Sequence, residues 1–196
     1  MSTSRRFSHA IAEGDGISVV AAVEDADAAR AAEAQRAEAL VVSGDPARLR
    51  EATRLPILWR ADAAVDRAAE VADAVTLALA DDEDEDHGPA QRRHEEALAV
   101  GLDCAVEVRS EEELERALEV LDPEIFLLAP PPGAPHERLE AVLDLLAEVP
   151  AGKLAIADLA VTTEDEVHEL ERAGVDAVIV HAADVSPLVG EAPPEV

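Results

Sequence analysis

Short, continuous apolar runs alternate along the chain with segments whose apolar residues recur at helical spacing. Ile17 to Val23 (ISVVAAV) is apolar except at Ser18 and has the length of a buried strand. Ala39 to Val42, Pro56 to Trp59, Asp73 to Ala80, Cys104 to Val108, Ile125 to Ala129, Leu154 to Leu159 and Asp176 to Val180 repeat the pattern. Between them lie segments of helical character: Asp27 to Ala37, Pro46 to Ala52, Ala63 to Val71, Gly88 to about Val100, Ser110 to Leu121, Pro135 to Glu148, and Thr162 or Thr163 to Ala173. Their ends carry the expected chemistry. Pro46 suits a first helical turn. Ser110 with Glu113 has the spacing of a capping box. Gly174 suits a helix C-terminus.

Eight strands, each but the last followed by a helix, imply βαβ units and a parallel sheet. Strands this apolar imply a sheet covered on its outer face. The predicted fold class is α/β, a closed (β/α)8 TIM barrel forming one domain over residues 1–196. An open doubly wound sheet is the alternative, but it favours a glycine-rich turn after the first strand. Glu24-Asp25-Ala26-Asp27 stands there instead. At 196 residues the barrel is short against a typical size of about 250. Only sixteen residues follow Val180, so the eighth helix is expected to be truncated or missing. Something must then cover the outer face between the last and first strands. The N-terminal segment Phe7 to Glu13 is favoured, with a homodimer through that seam as the alternative to a monomer.

Charge narrows the function. The chain has 44 acidic and 16 basic residues, a formal net charge of −28. Such a surface repels a phosphate backbone and an anionic membrane, so neither nucleic acid nor membrane is an expected partner. It fits a strongly solvated protein or one adapted to high salt. No apolar run reaches the roughly 18–20 residues of a spanning helix. One cysteine, Cys104, allows no internal disulfide, and a reducing cytoplasmic compartment is expected. No H-x-H or C-x-x-C spacing occurs, so neither metal nor cofactor is expected. The acidic run Asp81 to Asp86 (DDEDED) lacks the spaced ligands and central glycine of a calcium loop and reads as solvated.

One residue breaks the apolar pattern sharply. Glu107 sits inside the strand Cys104 to Val108, where an unpaired carboxylate costs several kcal/mol. Side chains alternate across a strand, so Ala105, Glu107 and Arg109 share a face. On the third strand Leu58 and Arg60 share one. If these faces look into the barrel, Arg60 and Glu107 meet near its C-terminal mouth, with Glu24 and Asp158 as further candidates. Of six histidines, only His181 falls at a predicted strand end. His94 and His168 are expected to be solvated on helices.

The stretch Gly101-Leu-Asp-Cys-Ala-Val-Glu-Val-Arg-Ser-Glu-Glu-Glu-Leu resembles the fifth strand and helix of indole-3-glycerol phosphate synthase, where family members read "LGLD-x-LVEVH-x-EEEL". Pro56 to Arg60 is similar to the third strand, "PVLRK". Ala72-Asp73-Ala74 is similar to the start of the fourth, Ile156 to Val161 to the seventh, and Ala173 to Val180 to "AGADAVLVG" of the eighth. The resemblance implies a lyase of tryptophan biosynthesis that closes an indole ring by decarboxylation and dehydration. It also implies two glutamates, two lysines, an asparagine and a serine at strand ends, and a phosphate held on backbone amides beyond strands seven and eight.

Position by position, little of that set remains. Glu107 matches the fifth-strand glutamate. Arg60 replaces the third-strand lysine, and arginine is a poor proton donor at physiological pH. Ala22 and Glu24 stand for the first-strand glutamate and lysine, Ala129 for the asparagine, and Leu159-Ala160-Val161 for "SGI". His181 replaces the eighth-strand glycine. The expectation is a synthase-like barrel with little or no synthase activity. Its candidate catalytic groups are Glu107 and Arg60. Its candidate substrate-binding groups are Asp158, His181 and Glu24, with a small anionic molecule as the possible ligand. An active lyase using Arg60 and Glu107, and a non-catalytic scaffold, are the alternatives.

Overall fold

In a computed structural model, residues 6–12, 16–62, 64–79, 87–181 and 183–188 are described. The acidic run 81–86 and the residues after Leu188 lie outside them, and with them any helix beyond the last strand. The strands are β1 (Ser18–Ala22), β2 (Ala39–Val42), β3 (Ile57–Trp59), β4 (Ala74–Ala78), β5 (Asp103–Val108), β6 (Ile125–Leu128), β7 (Leu154–Asp158) and β8 (Ala177–Val180). They pair in chain order, all parallel, and β8 closes on β1. The helices are α1 (Arg6–Ala12), α2 (Ala26–Ala34), α3 (Ala47–Ala52), α4 (Val65–Val71), α5 (Gly88–Ala99), α6 (Glu111–Val120), α7 (Pro135–Glu148) and α8 (Glu164–Ala173). The predicted closed barrel is thus the observed fold.

Alternation along each strand builds two apolar layers. Val20, Val41, Leu58, Ala105, Leu127, Ile156 and Ile179 fill the interior. Val19, Leu40, Val106, Phe126 and Val178 face the helices. A sheet buried on both faces favours apolar residues at most positions, which is why the strands read as apolar runs. The helix ends follow their sequence signals. The Ser110 hydroxyl accepts from the Glu113 N–H at 3.3 Å, and Thr163 caps α8 in the same way at 3.3 Å. Gly174 ends α8 with φ near +97°, a left-handed conformation that glycine adopts at no steric cost.

The expectation for the N-terminal segment is corrected. The helix α1 does not lie on the outer seam. Phe7 and Ile11, 0% and 2% exposed, join the interior cluster and close the barrel's N-terminal end. Two polar contacts fix it there. The Ser8 N–H donates to Asp103 Oδ2 at 2.8 Å, and the Ser18 hydroxyl donates to the Ala10 carbonyl at 3.3 Å. Phe7 and Ile11 stand four residues apart and so share one helix face. The only large aromatic side chain near the N-terminus gains most where it is fully enclosed. The segment after β8 supplies outer-layer residues instead. Val185 and Leu188 are buried in the outer cluster, and the Val185 N–H donates to Gln35 Oε1 at 2.8 Å.

A second polar pattern marks the N-terminal end. Glu38, Asp73 and Asp176 each precede an even-numbered strand. Each accepts the N–H of a residue in the strand before it: Val19 at 2.6 Å, Ile57 at 2.9 Å and Ala155 at 2.8 Å. These donors lie at strand starts, where the ladder leaves backbone groups needing partners. Burial pushes the Glu38 and Asp176 carboxyls above their ordinary range despite those hydrogen bonds.

Candidate functional site

The opposite end of the barrel holds the charged residues singled out in the sequence. Arg60 follows β3, and Asp158 ends β7, four strands away around the closed ring. Arg60 crosses that mouth. Its Nη1 donates to Asp158 Oδ2 at 2.5 Å and its Nη2 donates to Glu107 Oε2 at 3.1 Å. The other Glu107 oxygen accepts from Arg109, at 2.8 Å from Nη2 and 3.2 Å from Nε. The other Asp158 oxygen lies 2.8 Å from His181 Nε2. Five side chains from β3, β5, β7 and β8 therefore form one connected cluster.

Alternation brings them there. Ala105 is an interior residue of β5, so Glu107 points the same way. Leu58 and Ile156 do the same for Arg60 and Asp158, and Ile179 for His181. The glutamate stranded in an apolar strand is thus half of an ion pair at the mouth. The Glu107 and Asp158 side chains are 14% and 12% exposed, against 50% for His181. Burial opposes charge on Asp158. The hydrogen bond from His181 and the charge and hydrogen bond of Arg60 outweigh it and hold the carboxyl below the usual carboxylate range. Burial likewise opposes charge on Arg60, and Asp158 and Glu107 reverse that effect. An ionised Asp158 only accepts, so His181 Nε2 carries the proton between them.

Two open cavities flank the Arg60 bridge. One, of about 670 Å³, lies toward β1, β2 and β8 and is lined by Ala22, Glu24, Asp25, Ser43, Arg60 and His181. The other, of about 700 Å³, lies toward β3 and β4 and is lined by Arg60, Asp62, Thr76, Ala78 and Arg93. Glu24 stands exposed on the first rim and does not join the five-residue cluster. Asp25 is occupied as the cap of α2, accepting from the Asp27 and Ala28 N–H groups.

Other sequence expectations have mixed outcomes. His94 is buried, not solvated, and desolvation lowers its pKa against the pull of Glu95 and Glu124. Burial pushes the Cys104 thiol up to about 12, which suits a core residue and not a nucleophile. Arg138 escaped notice: its Nη2 donates to the Asp158 carbonyl at 2.9 Å, tying α7 to the end of β7. Its position in the first turn of α7, just beyond the C-terminal end of β6, was the available signal.

No family model matches the chain. Individual proteins do. Relatives that match include indole-3-glycerol phosphate synthases. One from Polaromonas naphthalenivorans is 38% identical over 96 residues, covering 48% of this chain and 36% of the relative. One from Variovorax paradoxus is 38% identical over 114 residues, covering 57% and 41%. One from Shouchella clausii is 31% identical over 94 residues, covering 44% and 34%. The chain thus spans about two fifths or less of the length of the curated relatives it matches. Among solved structures, a presumed phosphonomutase from Burkholderia cenocepacia J2315 superposes with a TM-score of 0.59 over 85% of this chain and 87% of the other, at 16% identity. That likeness speaks to the barrel fold alone. The similarity to the synthases agrees with the resemblance read from the β5 stretch. Among the described residues, no helix is long and apolar enough to cross a membrane.

Proposed function

We propose that this protein is a synthase-like barrel whose mouth has lost indole ring closure and holds a repurposed small-molecule site. One observation carries this reading. Arg60 stands where the resemblance implies a proton-donating lysine, and it is clamped between Asp158 and Glu107. A guanidinium keeps its proton at physiological pH, and one held by two carboxylates is worse still as an acid. The surviving glutamate is committed in the same way. Glu107 gives one oxygen to Arg60 and the other to Arg109.

The positions implied for phosphate binding point the same way. Leu159, Ala160 and Val161 follow β7 without a glycine, so backbone amides have no close approach to an anion. Glu24 and the ionised Asp158 add negative charge at that end. Arg60 has both terminal nitrogens engaged, which weakens it as an anchor for an anionic ligand. One domain in a cytoplasmic setting fits the single, buried Cys104.

A steady-state assay with the phosphorylated anthranilate ribulose substrate tests the reading. The expected result is no indole product above the uncatalysed rate. Turnover on the order of 1–10 s⁻¹, the ordinary range for enzymes, that disappears in Glu107→Gln would overturn it.

A further inference from the structure

Resting on that reading of a re-wired mouth, we propose that His181, positioned by Asp158, is a general base facing the β1–β2–β8 cavity, and that the cavity takes an uncharged or cationic polar molecule in preference to a phosphorylated one. Four observations converge on it. His181 replaces the glycine that the resemblance implies at the end of β8, so the imidazole is this chain's own addition. Its Nε2 is held at 2.8 Å by a carboxylate that the surrounding charges keep ionised. Such a pairing fixes the tautomer and leaves Nδ1 with its lone pair. The ring is half exposed and lines an open cavity of about 670 Å³, a size suited to a small metabolite. A base fixed by one carboxylate and open on its other nitrogen is an arrangement that serves proton transfer.

The lining sets the preference. The charged groups near His181 are Asp158 at the end of β7, Arg60 beyond β3, and Glu24 with Asp25 beyond β1. Arg60 is spent on Asp158 and Glu107. Three carboxylates remain around one already paired guanidinium, a field that repels a phosphate and tolerates a hydroxyl or an ammonium. Ser43 adds a hydroxyl at the rim, and Ala22 and Val41 give an apolar floor.

Two acyl esters of like reactivity probe the site: neutral 4-nitrophenyl acetate and its anionic relative 4-acetoxy-3-nitrobenzoate. His181 Nδ1 takes a proton from a water molecule as that water attacks the acetyl carbon, and the bond to the nitrophenolate oxygen breaks. The imidazolium and the acetic acid each then lose a proton to solvent, which leaves acetate and nitrophenolate and restores the ring. Each rate is normalised to that ester's rate with free imidazole. We expect the wild type to favour the neutral ester at least tenfold and His181→Ala to lose most of that rate. His181 is half exposed, so this variant should fold. Asp158→Asn should retain part of the rate, since the ring stays in place but loses the carboxylate that fixes its orientation. Equal rates for wild type and His181→Ala, or a preference for the anionic ester, would overturn the proposal. Indole formation by the same preparation would instead count against the loss of ring closure and leave the His181 result standing on its own.

Discussion

The two ends of this barrel use the same residue types for opposite purposes. At the N-terminal end, carboxylates tie strand starts to their neighbours, Asp73 also pairing with Arg50 and Asp103 holding the Ser8 N–H of α1. Glu38, Asp73 and Asp176 each accept a single N–H from the strand before. Phe7 and Ile11 then seal the interior from water. At the C-terminal end, carboxylates act together and across the ring. Asp158 and Glu107 share one arginine, and each takes a second partner. The first end spends its polar groups on holding strands. The second concentrates charge beside open cavities, as expected at the face where barrels of this kind carry chemistry. A position's end of the barrel therefore says more about its role than its residue type does.

Breaking the N-terminal end should have the largest effect. Phe7→Ala removes a fully buried ring from the plug, and a loss of about 3–5 kcal/mol is expected in denaturant unfolding. The mouth cluster should persist in the folded fraction, seen as unchanged His181 resonances.

Arg60→Met comes next. It strips two mostly buried carboxylates of their shared cation, and a loss of about 3 kcal/mol is expected. The pH dependence sharpens this. The Asp158 carboxyl lies below its ordinary range in the folded protein. Its contribution is therefore present above the ordinary aspartate value of about 4 and fades as pH falls through the lowered folded value. The gap in stability between wild type and Arg60→Met should be full at neutral pH and narrow below about pH 4. A gap that is constant across that window would mean that the pair adds nothing. The smallest effect belongs to Arg109→Ala. Its side chain is 53% exposed, and a change of about 0–1 kcal/mol is expected, shrinking further in salt.

The residues foretold much of the C-terminal end. The closed barrel follows from eight apolar runs separated by helical segments. Glu107 stood out because a carboxylate in an apolar strand demands a partner, and alternation put Arg60 on a compatible face. His181 stood out by its place at a strand end. Alternation gives facing, however, and not reach. It could not say that Arg60 would cross to Asp158 four strands away, because that depends on the diameter of the closed ring. The plug was misplaced for a related reason. A seven-residue helix with apolar residues at Phe7 and Ile11 reads alike on the side of a barrel or across its end. The carboxylates before β2, β4 and β8 were missed because a polar residue at a strand start looks like an ordinary turn.

A double-mutant cycle on Arg60 and Asp158 tests the re-wired mouth most directly. Stability is measured for wild type, Arg60→Met, Asp158→Asn and the double variant at neutral pH. A coupling of about 1–3 kcal/mol is predicted for groups in direct contact. Losses that add to within about 0.5 kcal/mol would contradict the account, since Arg60 would then be free for other work at the mouth.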